Sequence, residues 1–344
     1  MKNFWETLPK PFVVLAPLAD VTDAAFRRII AKYSKPHGPD VFWTEFVSAD
    51  GLTLAPEEGR AKLMRDLIFS EAERPIVAQF FTSNPEHMGR AAALAAQLGF
   101  DGVDINMGCP DKTVEKQGAG AKLILNPGRA KELVAAAKRG APGLPVSVKT
   151  RLGYNKDVLD EWLPELLGAE PAAITIHART RKEMSLVPAR WERVKRAVEI
   201  RDAMKSKTLI IGNGDVKTVN EAHERVRETG ADGVMIGRGV FGTPWLFNSE
   251  TNLKSSESAV EPWHTGARLY SKDLVSERLG ILVEHTRLFE ELLGDTKSFA
   301  IMKKHFKAYV EGFPGAKELR VELMGAASAQ EVAKIIDTFL KAGA

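Results

Sequence analysis

The stretch that decides the fold runs Leu209-Ile210-Ile211-Gly212-Asn213-Gly214-Asp215 and resumes, after a helical interval, as Gly233-Val234-Met235-Ile236-Gly237-Arg238-Gly239. Each piece is a continuous apolar run that hands over to glycine and polar residues. Between them, Thr218 to Arg227 keeps helical spacing and Gly230 closes the helix. Runs that are apolar throughout, rather than alternating, fit parallel strands buried on both faces. The stretch therefore reads as strand, helix, strand.

Working outward, the same unit recurs. The earlier runs are Phe12–Leu15, Val41–Trp43, Ile76–Ala78, Gly102–Ile105, Val146–Val148 and Ala173–Ile176, which makes eight with the two above. They follow one another at roughly 25 to 45 residues, as βα units do. Asn84-Pro85 and Asn126-Pro127 each open a helix, with asparagine at the cap and proline at the first helical position. Strand and helix repeated eight times is the (β/α)8 TIM barrel of the α/β class. Just past the runs stand Ala16-Pro17, Glu45, Gln79, Asn106, Lys149, His177, Asn213 and Gly237-Arg238. In a barrel these positions converge on one mouth, where active sites are built. In a doubly wound open sheet, the structural alternative, they would spread along an edge.

Residues 249–270 break the pattern with a polar stretch that reads as a linker. Beyond it the periodicity is purely helical. Val275, Leu279, Leu282, Phe289 and Leu293 form one stripe, ended by Gly294. Phe299, Met302, Phe306 and Val310 form a second, ended by Gly312, and Ser328 with Glu331 makes a capping box before a third. The expected organisation is a barrel over 1–248, a linker over 249–270 and a small all-helical C-terminal domain over 271–344.

Composition sets the outer bounds. The chain has 344 residues, a net charge of +3 and one cysteine. A single cysteine rules out an internal disulfide and suits a reducing, cytoplasmic setting. Met1 to Glu6 lacks the apolar core of a secretory signal, and no uncharged run approaches the ~20 residues that span a bilayer. The weak positive charge permits a nucleic-acid partner without demanding one. No His, Cys, Asp or Glu cluster has metal-ligand spacing, so no metal is expected.

The mouth residues suggest a phosphate-bearing cofactor. In barrels the loops after strands seven and eight often bind phosphate, and here they carry Gly212-Asn213-Gly214-Asp215 and Gly237-Arg238-Gly239. Glycines let backbone N–H groups approach the phosphate, and an arginine can grip it through two N–H groups. Lys149 and His177 can donate hydrogen bonds to a planar, electron-rich ring, and Gln79 offers both a donor and an acceptor. Arg151, Arg179 and Arg181 add charge at the rim. The lone cysteine, Cys109, lies between Gly108 and Pro110 beyond the fourth strand, with Gln117-Gly118-Ala119-Gly120-Ala121 following. A lone cysteine is ordinarily a buried hydrophobe, but a loop at a strand end is where chemistry sits.

These residues resemble the tRNA-dihydrouridine synthases, flavoenzymes that reduce particular uridines of tRNA. The matching stretches are Ala16-Pro17-Leu18-Ala19-Asp20, Thr44-Glu45-Phe46, Asn106-Met107-Gly108-Cys109-Pro110, Val148-Lys149-Thr150-Arg151-Leu152-Gly153 and His177-Ala178-Arg179-Thr180-Arg181. Asn213-Gly214-Asp215, Gly237-Arg238-Gly239, Met302-Lys303-Lys304-His305 and Gly312-Phe313-Pro314-Gly315-Ala316 continue the match. The resemblance implies that Ala16, Pro17, Leu18, Gln79, Lys149, His177, Asn213, Gly214, Asp215, Gly237 and Arg238 hold FMN, with NADPH as the reductant. It implies that Cys109 is the general acid and that Asn106, Arg151 and Arg179 face the substrate.

The helical domain would then bind tRNA through Lys303, Lys304 and Lys307, within a basic group that also includes Lys297, Lys317 and Arg320. A cytoplasmic monomer with no membrane partner is the accompanying expectation. Family members often carry Met-Ala-Gly where this chain has Leu18-Ala19-Asp20, and glutamine followed by an aromatic where it has Glu183 and Met184. The chemistry is consistent with the thiol. An unperturbed thiol, with a pKa of about 8.5, keeps its proton at neutral pH where a carboxylate would have lost it. Three alternatives stand beside this reading: an FMN barrel acting on a free small molecule, a tRNA-binding flavoprotein with little catalysis, and a barrel aldolase using Lys149 as a Schiff base.

Overall fold

The computed structural model describes residues 3–248 and 272–342. The stretch expected as a linker, 249–270, lies outside the described residues. Eight strands form one parallel sheet: β1 (Phe12–Leu15), β2 (Phe42–Ser48), β3 (Ile76–Phe81), β4 (Gly102–Met107), β5 (Val146–Arg151), β6 (Ala173–His177), β7 (Leu209–Asn213) and β8 (Gly233–Ile236). Their order is β1-β8-β7-β6-β5-β4-β3-β2. At the seam between β1 and β2, Leu15 N–H donates to Val41 O at 3.1 Å and Asp40 N–H to Val13 O at 2.9 Å. These bonds bring the two end strands together and close the curl, as a (β/α)8 barrel requires.

The strands run further than their apolar runs. The sequence pattern puts Glu45, Gln79, Asn106, Lys149, His177 and Asn213 just beyond strand ends, yet each lies within a strand. Asn106 pairs with Lys149, Arg151 with His177, and His177 with Asn213. Ladder bonds use only the backbone, so a polar side chain does not end a strand. The helix caps fall where the sequence puts them. Asn84 accepts from Glu86 N–H, Asn126 from Arg129 N–H and Thr218 from Glu221 N–H, while Gly230 ends its helix at φ 73°.

The chain packs into two compact units. One holds the strands, from residue 3 to Ala19 and from Pro39 to Gly239. The other joins Asp20–Gly38 to the described residues from Val240 onward. The boundary therefore differs from the expected one at 248, and the helix Ala24–Ser34 groups with the C-terminal helices. Its side chains supply the reason. Phe26 stacks on His285 with ring centroids 5.0 Å apart and lies 4.7 Å from His305. Lys32 and Tyr33 both donate to Glu284 at 2.6 Å.

In this helical unit His285 and His305 are fully buried with ring centroids 4.6 Å apart, and Tyr309 packs beside His285. None of the four ring nitrogens, nor the Tyr309 hydroxyl, has a hydrogen-bond partner among the described residues. Burial holds both imidazoles neutral: His285 is pushed well below the usual range, and His305 down to about 3. Among the described residues no helix is long and apolar enough to cross a membrane.

Candidate active site

The end of β4 turns the chain into the cysteine loop, and Asn106 makes the turn. Its Oδ1 accepts the N–H groups of Gly108 at 3.1 Å and Cys109 at 2.9 Å, while its Nδ2 donates to Gln79 Oε1 at 3.1 Å. The far side of the loop is tied down by Ala121 N–H donating to Cys109 O at 2.9 Å. This approach needs a glycine at position 120, where φ is +60° and a Cβ would stand 2.7 Å from Cys109 O. Arg151, at the end of β5, clamps the loop from a third side. Its Nε donates to Gly108 O at 2.7 Å and its Nη1 to Thr180 O and Met184 O at 3.2 and 3.1 Å.

The Cys109 side chain is half-buried against an apolar cluster of Phe81, Val114 and Ala119. Burial raises its pKa above the ordinary thiol value. Charges on Asp111 and Glu115 push the same way, and the Asp111 N–H and Arg151 oppose without reversing the shift. At neutral pH the group is a thiol. That is the state a proton donor needs, and the wrong state for a nucleophile or a metal ligand.

Below the loop, Gln79 is fully buried on β3 and reads both neighbours. Its Nε2 donates to Asp104 Oδ2 at 2.7 Å, and Ser147 Oγ donates to Asp104 Oδ1 at 2.5 Å. Burial raises Asp104 to about 6, against the hydrogen bonds from Ser147 and Gln79 and the charge of Lys149. Lys149 on β5 donates to Asn213 Oδ1 at 3.2 Å, and Asn213 Nδ2 donates to Met235 O at 2.8 Å. Burial, together with Arg151, lowers Lys149 to about 8. The sequence reading assigns Asp104 no role. The signal is there: it is a carboxylate in the middle of an otherwise buried strand, and such a group needs partners.

At the end of β6, His177 Nε2 lies 3.1 Å from Arg179 Nη1. Arginine can only donate, so Nε2 accepts and the ring proton is on Nδ1. Burial first, then Arg151, Lys149 and the other cations, hold this imidazole neutral. Arg179 is 2% exposed and fully engaged: it also donates to Val187 O at 2.6 Å and to Asp215 Oδ2. The sequence reading puts it at the substrate. The structure instead buries it as a brace that orients His177 and Asp215.

Asp215, at φ 57°, accepts from Arg179, Ala189 N–H and Arg238. Burial would raise its carboxyl, but the Arg179 and Ala189 hydrogen bonds outweigh it and the pKa falls below the usual carboxylate value. Gly214 is obligatory here, at φ +136° with Ala189 Cβ 2.7 Å from where its own Cβ would stand. Arg238 remains 65% exposed on its side chain. Arg181 pairs through two N–H groups with Glu115 and lies 5.1 Å over the Tyr154 ring.

The barrel mouth therefore gathers Ala16, Gln79, Asn106, Cys109, Lys149, Arg151, His177, Asn213, Asp215 and Arg238 at the strand ends and the loops that follow them. Lys303, Lys304 and Lys307 belong to the helical unit, where Lys304 pairs with Asp20 at 3.0 Å. Among the described residues no group of three or more His, Cys, Asp or Glu side chains could hold a metal ion.

Residues 14–343 match the family profile described as dihydrouridine synthase (Dus). The chain belongs to the dihydrouridine synthase family. A probable tRNA-dihydrouridine synthase of Staphylococcus epidermidis is 40% identical over 340 residues, which cover 98% of this chain and 96% of that one. Probable tRNA-dihydrouridine synthase 2 of Bacillus subtilis is 39% identical over 339 residues, covering 98% and 97%.

Among solved structures, histamine dehydrogenase from Rhizobium sp. 4-9 superposes with a TM-score of 0.51 at 14% identity, over 78% of this chain and 48% of that one. A 2-naphthoyl-CoA reductase superposes with 0.52 at 12% identity, over 71% and 50%. Both likenesses are of fold, and this chain spans about half the length of each. As a member of this oxidoreductase family, the protein has its cysteine loop and its cationic strand ends on one mouth.

Proposed function

We propose that this protein reduces the C5–C6 bond of specific uridines in tRNA, using FMN recharged by NADPH. The observation that carries the reading is the protonated thiol of Cys109, on a loop held by Asn106 and Arg151 at a mouth whose charge suits a phosphate-bearing ring cofactor. The family supports the reaction, and the curated relatives carry tRNA in their names.

The residues fit a flavin mononucleotide on their own chemistry. Lys149, Arg151, Arg179 and Arg238 crowd the mouth: beside burial, Arg151 depresses Lys149, and all four depress His177. Asp104, Glu183 and Asp215 face these cations without cancelling the depression, so the cluster calls for a further anion. Gly237 supplies room: a Cβ there would meet only Ala16 at 3.6 Å and Leu18 at 3.9 Å, so the protein's own packing does not require the glycine. In this reading Gly214, Gly237 and Arg238 take the phosphate. Gln79, Lys149, His177 Nδ1–H and Asn213 take the ring edge, and Ala16, Pro17 and Leu18 lie along the ring. When bound, the reduced flavin supplies the hydride that C6 of the uracil accepts.

The chain's own residues do the rest. Cys109 delivers the proton to C5, and its raised pKa keeps that proton in place at neutral pH. The Arg151 guanidinium, itself lowered to about 10 by burial yet still charged, stabilises the thiolate left behind. Asn106 keeps one amide N–H beyond its bond to Gln79, and that N–H faces the uracil in this reading. Lys303, Lys304 and Lys307 hold tRNA phosphates. The reaction takes place in the cytoplasm, on a monomer.

The test is to incubate the purified protein with unmodified tRNA transcripts and NADPH and to map dihydrouridine by position. A yellow protein that converts one or a few uridines is expected. A colourless protein, or one that leaves every uridine intact, overturns the reading.

A further inference from the structure

Beyond the site described, one segment of the rim has no role in that chemistry. After β6 the chain runs Met184-Ser185-Leu186-Val187-Pro188. Leu186 is 86% exposed, Met184 42% and Val187 37%. Single exposed apolar residues such as Leu54 and Leu125 are ordinary. Three within four residues, on one loop beside the candidate active site, are not.

The loop is also tied down by hydrogen bonds at both ends. Two buried arginines take its carbonyls at both ends: Arg151 binds Thr180 O and Met184 O, and Arg179 binds Val187 O. Glu183 accepts from Thr180 N–H at 2.6 Å, and Leu186 N–H closes back on Glu183 O at 2.9 Å. Met184 sits at φ +53°, a left-handed conformation that is an outlier for a bulky residue and persists only where its surroundings impose it. The folded state thus uses two arginines and a strained residue to hold out an apolar tip. Arg151 also binds Gly108 O, so the tip and the cysteine loop share one anchor.

We propose that this tip is an RNA wedge, with Leu186 filling the gap left in the base stack when the target uridine turns out toward Cys109. The proposal rests on the reading above that RNA is the substrate. A base inside folded RNA must leave its stack to be reduced, and proteins that open a stack commonly insert leucine, methionine or proline into it. Charge supports the same occupant. Lys182 beside the loop is exposed, and exposed Lys122 lies 5.2 Å over the Tyr154 ring, while Arg181 on the same ring is already paired with Glu115. Cations flanking an apolar tip match phosphates flanking a base.

The experiment places a photo-crosslinker at the tip, Leu186→p-benzoylphenylalanine in the full chain, with unmodified tRNA transcripts as the probe. Crosslinks are expected on the nucleotides flanking the uridine that the wild-type protein reduces. In parallel, Leu186→Ala should lower kcat/KM for tRNA about tenfold, the effect of removing one large apolar side chain from an interface, and Leu186→Met should restore most of it. At so exposed a position neither change should alter the melting temperature.

The wedge is overturned by the absence of crosslinks, by crosslinks only at nucleotides remote from the reduced one, or by Leu186→Ala turning over tRNA like wild type. A crosslink to a second copy or another protein in place of RNA overturns it equally. Uridine reduction without crosslinks sinks the wedge and leaves the activity. Crosslinks to RNA without any reduction sink the activity and leave RNA at the tip.

Discussion

At the scale of single residues, Cys109 is decided by its surroundings. Burial and the carboxylates of Asp111 and Glu115 raise its pKa, while the Asp111 N–H and the Arg151 charge favour the thiolate without reversing the shift. The proposed role has a sign that can be checked. A donor works while protonated, so the rate should hold through the ordinary thiol range near pH ~8.5 and fall only above it. Cys109→Ala should lower dihydrouridine formation by about 10²- to 10⁴-fold and remove that alkaline limb, with flavin absorbance and tRNA binding retained. A variant that keeps wild-type turnover would refute the assignment. Arg179 shows the limits of residue type. Its charge and position suggest substrate, but its N–H groups already serve His177, Val187 and Asp215.

At the scale of elements, two junctions carry testable consequences. The 3-10 turn Gly120–Leu125 meets the cysteine loop through a glycine at φ +60°. Gly120→Ala should cost about 1–3 kcal/mol in denaturant unfolding, and it should reduce turnover by more than the smaller folded fraction explains. In the helical unit, the helices Lys272–Leu293 and Lys303–Tyr309 bury His285 and His305 as neutral rings.

A folded-state histidine pKa depressed below its unfolded value near 6.5 gives stability that is complete above that pH. The stability drains away as pH falls toward the folded value, here about 3 for His305. The His305 ring should therefore cost on the order of 2 kcal/mol by pH 5. His305→Phe should flatten the pH dependence of the melting temperature between pH ~6.5 and ~4.5. An unchanged slope would mean that the ring is solvated. The strands themselves are legible as continuous apolar runs. Their polar last residues are not, because a ladder is a backbone property and composition says little about where it stops.

At the scale of the whole molecule, the two units divide the work in the proposed reading: the barrel for chemistry, the helical unit for holding RNA. Lys303 and Lys307 are the test. Replacing both with glutamate should weaken tRNA binding and flatten its salt dependence by roughly one log unit per log unit of salt for each phosphate no longer neutralised. A binding curve with the wild-type salt slope would take these lysines out of the interface. The grouping of Ala24–Ser34 with the C-terminal helices is invisible in sequence. Nothing in its helical periodicity says that Phe26 will meet His285 and His305, which lie in the far C-terminal part of the chain.

By itself the sequence determined the barrel, the order of its strands and the identity of most mouth residues. Those follow from local pattern: apolar runs at βα spacing, glycines and polar residues at the strand ends, one cysteine on a loop. Only the tertiary structure decided what those residues do to one another. Asn106 and Arg151 hold the cysteine loop, Arg179 is a brace, and Asp104 orients Gln79. The physical reason is that hydrogen-bond partners and pKa shifts depend on distance and burial across strands 25 to 64 residues apart in sequence, as between Gln79 and Asp104 or Lys149 and Asn213. Periodicity along the chain carries the first kind of information and none of the second.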